Sequence, residues 1–166
     1  MEYIQEIEGQ VGQLKNVSKE IRKKIRLGKL DEAYRLTAQY PNDLIIMSQR
    51  CTILIKQGRL EEAKIIGKQF EDDPIIQSQM VTIAIQEGDI ERANAIGAKF
   101  ESNEAIQSQM ITIAIQEGRL EDAKAIGEKF QDNPMIQNQM ITIAIQEGRL
   151  EEAKAIGARF KKYEPI

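Results

Sequence analysis

Histidine and tryptophan are absent from this 166-residue sequence, and cysteine occurs once, at Cys51. The lack of histidine excludes imidazole acid–base catalysis and Cys/His zinc sites. A single thiol cannot form an intrachain disulfide, which is typical of proteins in a reducing cytoplasm. No apolar run approaches the roughly 18 residues that a membrane span needs, and the first ten residues lack the cationic and apolar regions of a signal peptide. We therefore expect a cytoplasmic protein without a metal ion or a cofactor.

Signals of catalysis are also missing. The adjacent glutamates at 61–62 and 151–152 would not face each other on a helix, and the glycines are spread out rather than clustered into a phosphate-binding loop. Cys51 stands at an apolar position, where the expected role is that of a small buried hydrophobe. The sequence therefore predicts no enzymatic activity and no catalytic residue.

Neither sign of charge dominates the composition. Lysine and arginine number 23 against 26 acidic residues, a net charge of −3, so the global charge does not favour nucleic acid as a partner. Hydrophobic residues make up 42% and charged residues 30%, which is typical of one soluble folded domain.

The dominant feature of the sequence is a repeat with a fixed period of 30 residues. A glycine recurs at this spacing, at Gly28, Gly58, Gly88, Gly118 and Gly148. An alanine series follows five residues behind it, and an aromatic series closes each unit. A fixed period of this length is typical of repeat architectures built from one supersecondary unit.

One repeat, residues 134–163, predicts two helices joined by a short turn. Its first half places Ile136, Met140 and Ile143 on one helical stripe, with Asn133 as the N-cap. Gly148 ends this helix because glycine adopts the left-handed C′ conformation at little cost. The second half forms another amphipathic helix, which gives an αα-hairpin. The mid-helix Gly157 and its equivalents predict a close helix–helix approach, and the closing phenylalanines are expected in the core.

The segments GRLEEAKAIG, GRLEDAKAIG and GDIERANAIG resemble the middle of a tetratricopeptide repeat (TPR). Gly118, Leu120 and Ala123 match the helix-ending glycine, the large apolar residue and the small residue of that family, and Pro134 stands near its inter-repeat proline. Two departures are the period, 30 residues instead of about 34, and Gln107 and Gln137 in place of an early aromatic residue.

The resemblance implies an all-α, right-handed α-solenoid that binds protein or peptide along its concave face. The predicted units are residues 14–43, 44–73, 74–103, 104–133 and 134–163, preceded by an N-terminal helical extension or cap at 1–13.

The N-terminal repeat differs from the others. Where internal first helices have apolar residues, it has Asn16, Glu20, Lys23 and Lys24, so we interpret it as a cap. Its helix is expected to begin near Glu2 unless the glycines at 9 and 12 interrupt it. An alternative interpretation joins the apolar residues from position 4 to position 25 into a short coiled-coil stripe.

Two polar surfaces are candidates for partner binding. The first, the polar stripe, repeats a neutral Gln-Thr-Gln pattern on successive first helices and would line the concave face; its members are Gln79, Thr82, Gln86, Gln109, Thr112, Gln116, Gln139, Thr142 and Gln146. The second is a basic anchor for a carboxylate or phosphate, formed by Arg22, Arg26 and Lys56. The alternative for both is a solvated polar face without a partner.

The last hairpin keeps the internal apolar pattern at Leu150, Ile156 and Phe160 without a following repeat to cover it. These residues predict self-association, with a two-fold homodimer favoured; alternatively, Tyr163 and Ile166 fold back over the face. Accordingly, a second function remains open: a structural or self-assembling module, either an excised fragment or a consensus-like design. RNA binding is a weaker third alternative, because copy-like repeats do not suit a base-by-base code.

Overall fold

The computed structural model describes residues 2–161, with the backbone alone at Glu2. Within this range the chain is all-α, with ten helices and no strand, as a helical repeat requires. The helices are α1 Glu2–Arg26, α2 Leu30–Thr37, α3 Leu44–Lys56, α4 Leu60–Gln69, α5 Pro74–Glu87, α6 Ile90–Lys99, α7 Glu104–Gln116, α8 Leu120–Lys129, α9 Pro134–Gln146 and α10 Leu150–Phe160. None of the described helices has the length and apolar character to cross a bilayer.

The helices form two compact units, one that extends to Ile83 and one that begins at Ala84. In the first unit α1, α2 and α3 pack on one another and α4 packs on α3. Its core is centred on Ile21, Ala33, Ile46 and Ile53. In the second unit α7 contacts α6, α8 and α9, and α9 also contacts α8 and α10. Buried residues of four helices form its core: Ile111, Ala114, Ala123, Ile136, Met140, Ile143 and Ile156.

The turn glycines end the first helices as predicted. After α3, the Gly58 N–H donates to the carbonyl of Ile55 (3.0 Å) and the Arg59 N–H to that of Leu54 (2.9 Å), which is the Schellman pattern. Gly58 has φ +72°, and the other four glycines of the series have φ between +72° and +74°. A side chain would be strained at this φ, so the glycine period marks the turn of every hairpin.

The N-cap predicted at Asn133 is present, and two other first helices have the same kind of cap. The carboxamide oxygen of Asn133 accepts from the Ile136 N–H at 2.9 Å, and Asn103 and Asp73 cap α7 and α5 in the same manner. Each cap satisfies one backbone donor that the first helical turn leaves without a partner.

The mid-helix glycines provide space for methionines. A Cβ built on Gly127 would lie 2.7 Å from Cγ of Met140, and the same overlap joins Gly67 to Met80 and Gly97 to Met110. Real Cβ atoms are essentially never this close to another heavy atom, so the predicted close approach is confirmed at these three glycines. Gly157 differs, because among the described residues of other helices its Cβ position meets Ile141 Cδ1, at the ordinary contact distance of 3.9 Å.

Glutamines at the start of the first helices fasten the preceding second helices. Gln137 is buried, and its Nε2 donates to the carbonyls of Gly127 (3.0 Å) and Phe130 (3.1 Å). Gln107 makes the same two bonds to Gly97 and Phe100. These glutamines stand where the resemblance led us to expect an aromatic residue, and they bond backbone carbonyls instead of filling space.

One other expectation needs correction, and one is confirmed. The phenylalanine series lies half-buried rather than deep in the core; Phe130 and Phe160 pack against the core of the second unit from outside. The first helix begins at Glu2 as expected, and the glycines at 9 and 12 do not interrupt it.

Candidate functional site

The glutamines at the first position of the polar stripe are held by bonds between neighbouring first helices. Gln79 Nε2 donates to the Ser48 carbonyl (2.9 Å) and to the Thr52 hydroxyl (2.7 Å). Gln139 Nε2 donates to the carbonyl of Ser108 (3.1 Å) and to the hydroxyl of Thr112 (2.9 Å). Such bonds satisfy groups between packed helices. Gln79 and Gln139 therefore stabilise helix packing, and their donors are not available to a ligand.

The threonines of the polar stripe bond to their own helices. The hydroxyls of Thr82, Thr112 and Thr142 donate to the carbonyl four residues earlier, at 3.1 to 3.3 Å. This local bond is common for helical threonine. Replacing these side chains would perturb the helices as well as any ligand contact, so they are poor probes of binding.

The third position of the stripe is different. Gln86, Gln116 and Gln146 lie exposed in the last turns of α5, α7 and α9. They belong to the second unit, and within the described chain their carboxamides make no hydrogen bond. Gln109 is half-buried. The carboxamides that remain open to a partner are therefore those at 86, 116 and 146, a smaller set than the sequence predicted.

The basic residues of α1 line a groove in the first unit. It has a volume of about 600 Å³ and is lined by Lys19, Arg22, Ile25, Arg26, Gln49 and Thr52. We call it the basic groove. It contains Arg22 and Arg26 of the predicted anchor, whereas Lys56, the last residue of α3, is not part of its lining. Lys19 was missed as a site residue, although its spacing to Arg22 and Arg26 already placed it on the same helical stripe.

The acidic residues nearby do not neutralise this groove. Lys24, also on α1, binds Glu20 at 3.6 Å and Glu32 at 2.6 Å. The hydrogen bond with Glu32 raises the pKa of Lys24 and lowers that of Glu32. No carboxylate in the described part of the chain lies within 4 Å of Lys19, Arg22 or Arg26. The basic groove therefore presents three cations to solvent.

Gln49 forms the inner wall of the basic groove. It is buried, and its Nε2 donates to the backbone carbonyl (2.9 Å) and the hydroxyl (3.0 Å) of Ser18. This bond fixes α3 against α1, so the groove between the two helices has a rigid wall.

The predicted self-association residues are only partly exposed. Leu150 is 56% exposed, but Ile156 is 7% exposed and belongs to the core of the second unit. The expectation that Ile156 lies on an open face is wrong, because it packs against α9 of its own hairpin. Phe160 is half-buried and lines a groove of about 460 Å³ together with Met135, Ile141 and Gly157. Tyr163 and Ile166 lie outside the described residues.

Clustered metal ligands and a reactive cysteine are two further features that could provide catalytic chemistry. No group of three or more metal-ligating side chains occurs in residues 2–161. Cys51 is buried, and desolvation raises the pKa of its thiol to about 12, so the thiolate needed for nucleophilic attack does not form near neutral pH.

Comparison with known proteins adds no assignment: no protein family matches this sequence, and no curated protein is significantly similar to it.

Proposed function

We propose that this protein is a non-catalytic binding scaffold, a right-handed TPR-like solenoid of five hairpins that binds protein or peptide on the face of its first helices. The 30-residue period and the succession of ten helices support this architecture. The observation that carries the function is the basic groove, where three cations without carboxylate partners line a groove of about 600 Å³. Its partner is an acidic peptide segment.

The chemistry of the basic groove favours a partner with both charge and apolar groups. Arg22 and Arg26 supply guanidinium donors that match carboxylates in geometry. Ile25 and the aliphatic stems of these side chains supply apolar contact. In the second unit, Gln86, Gln116 and Gln146 would offer a separate set of neutral donors and acceptors, which suit a peptide backbone.

A labelled peptide tests this proposal. A fluorescein-labelled decapeptide that alternates glutamate and leucine should bind the intact chain, and its affinity should fall with added salt because the contacts are screened. The same peptide with glutamine in place of glutamate should bind at least about tenfold more weakly, since it loses the charge-assisted bonds.

Two pairs of substitutions locate the binding. Arg22→Ala with Arg26→Ala should weaken the acidic peptide about tenfold or more and flatten its salt dependence. The control, Arg35→Ala with Lys68→Ala, removes the same charge from exposed positions outside the basic groove and should change little. An equal loss of peptide affinity in the two double variants would contradict the assignment of the basic groove as the binding site. Tighter binding of a single-stranded RNA oligonucleotide than of the peptide would contradict the ligand class.

A second candidate function is self-association through the last hairpin. It is favoured by the groove of Met135, Ile141, Gly157 and Phe160, which is open and mainly apolar. The occupant would be a second copy of this hairpin, related by a two-fold axis. Sedimentation should detect a concentration-dependent dimer that Ile141→Lys abolishes and Leu150→Lys affects less. A chain that stays monomeric at hundreds of micromolar would rule this out.

A further inference from the structure

A second groove in the first unit lies between α2 and α4, with α3 as its floor. We call it the α2–α4 groove. It has a volume of about 600 Å³, within the range of small-molecule sites. Its lining is mainly apolar, with one central cation: Tyr34, Pro41, Asn42, Met47, Arg50, Leu54, Glu62, Ile65, Ile66, Gln69 and Phe70.

The central cation is Arg50, which occupies a position that is apolar in the later repeats. Met80, 30 residues further on, covers a glycine, whereas Arg50 lies beside Thr37. The Arg50 guanidinium stacks on the ring of Tyr34 at 4.2 Å from its centroid. Its Nη2 donates to the Tyr34 hydroxyl and its Nη1 to the Thr37 hydroxyl at 3.4 Å. Arg50 is therefore half-buried and held in one orientation by neutral groups.

The charge of Arg50 is not neutralised by a direct ion pair. No carboxylate of the described chain lies within 4 Å of it. The nearest acid in the groove, Glu62, receives two hydrogen bonds from Arg59, at 2.7 and 2.6 Å. These bonds hold the pKa of Glu62 below its ordinary value. Arg50 and Glu62 are the charged residues of the lining. Because Arg59, outside the lining, pairs with Glu62, Arg50 is left without a direct ion-pair partner among the described residues.

Apolar side chains surround this charge. Met47 and Leu54 form the floor and are almost fully buried. Ile65 is 58% exposed at the rim and stands where later repeats have alanine. An exposed isoleucine beside a fixed guanidinium gives the groove one anionic subsite and one apolar subsite.

We propose that the α2–α4 groove binds a small monocarboxylate with an apolar alkyl body. The carboxylate accepts hydrogen bonds from the Arg50 guanidinium, whose planar fork matches two carboxylate oxygens. The carbon chain lies against Ile65 and Phe70 and is removed from water there. This site lies on the side of the second helices and does not depend on the basic groove.

The probes are octanoate, octanamide and acetate, titrated into the intact protein and followed by the methyl resonances of Met47, Leu54 and Ile65. Octanoate should shift these resonances with saturation in the millimolar range or below. Octanamide lacks the charge and acetate lacks the apolar body, so each should bind at least about tenfold more weakly. Equal binding of octanoate and octanamide would overturn the proposal.

Two variants test the site without disturbing the fold. Arg50→Met with Thr37→Gly restores the residue pair of later repeats, so the helices should pack normally, and it should remove the preference for octanoate over octanamide. Ile65→Ala changes an exposed side chain to the residue of later repeats, and it should weaken octanoate several-fold while acetate is unchanged. If neither variant alters octanoate binding, the assignment is wrong.

The control Arg22→Met separates this site from the basic groove. It should leave octanoate binding intact while it weakens the acidic peptide. Loss of octanoate binding in Arg22→Met would place the carboxylate in the basic groove and overturn the inference, whereas failure of the acidic peptide alone would leave it standing.

Discussion

Two grooves at the same place in the repeat differ in chemistry. In the first unit the α2–α4 groove is built around Arg50, Tyr34 and Ile65. In the second unit the corresponding α8–α10 groove, about 430 Å³, has Met140, Lys124 and Ala155 at the positions 90 residues later. The backbone scaffold is the same pair of second helices over a first helix. The difference shows that exchanges at a few positions give one groove a guanidinium stacked on a tyrosine ring and give the other a set of paired charges.

The residue differences between the two grooves are coupled to one another by packing. Met140 requires Gly127 because a Cβ there would overlap its side chain, whereas Arg50 is accompanied by Thr37, whose hydroxyl accepts a bond from it. The cations also differ. In the α8–α10 groove Lys124 binds Glu147 at 3.1 Å and Arg149 binds both Glu147 and Glu152. Paired charges make this groove close to neutral, and it offers no fixed central cation.

The largest effect is expected from placing the cation in the wrong groove. Met140→Arg should destabilise the protein by about 3 kcal/mol, because it buries a charge without the hydroxyl and ring that Arg50 uses. Lys124 stands where the first unit has Tyr34, and its ammonium group would repel the new guanidinium. Chemical denaturation measures the change.

The matched rescue adds Lys124→Tyr and Gly127→Thr to Met140→Arg, which recreates the first-unit set. It should recover at least half of the lost stability. If Met140→Arg alone were neutral, arginine would be tolerated at this position without partners, and the coupling described for Arg50 would be wrong.

A somewhat smaller effect is expected at the mid-helix glycines. Gly127→Ala should cost about 2 kcal/mol, the usual range for overpacking, because Cγ of Met140 lies 2.7 Å from the new Cβ position. Gly157→Ala is the control. Its Cβ would meet Ile141 Cδ1 at an ordinary 3.9 Å, so the better helix propensity of alanine should stabilise the protein by up to about 1 kcal/mol. Thermal unfolding of both variants, with opposite shifts in Tm, would confirm the role of methionine.

The sequence was sufficient for the hairpin architecture because its signals are local. The turn glycines, such as Gly58, and the caps, such as Asn133, bond to backbone groups a few residues away. They were therefore predicted correctly. The sequence also predicted a close helix–helix contact at the mid-helix glycine. It did not predict that a methionine fills the space there. That partner is 13 residues away on another helix, and no periodicity identifies which long side chain turns toward the glycine.

The candidate sites were predicted less well for a related reason. A polar stripe on a helix does not distinguish a glutamine that bonds a neighbouring helix from one that faces solvent. Gln139 and Gln146 look alike in the sequence, yet the first bonds Ser108 and Thr112 and the second is exposed. Ile156 shows the opposite error, because the apolar stripe of α10 was taken as open when much of it faces α9.

An effect of about 1 kcal/mol is expected at Gln137, where the α2–α4 groove has Met47. Gln137→Met removes the bonds to the carbonyls of Gly127 and Phe130. Each carbonyl keeps one backbone donor, so the loss is near the net value of a hydrogen bond. Gln146→Met, at an exposed position, is the control and should be neutral in denaturation. Equal stability of the two variants would mean that Gln137 does not fasten α8.

The smallest effect concerns Glu147, where the first unit has the neutral Gln57. The hydrogen bonds from Lys124 and Arg149 hold the pKa of Glu147 below its ordinary 4.5. A carboxylate with a lowered pKa stabilises the fold above about pH 4.5 and loses this contribution as the pH falls through its folded pKa. In an NMR titration, Lys124→Met should move the pKa of Glu147 up toward 4.5, whereas Lys129→Met, which removes an exposed cation elsewhere on α8, should leave it unchanged. Equal shifts in the two variants would mean that net charge rather than the Lys124 contact sets the pKa, and the α8–α10 groove would then not owe its neutrality to that pair.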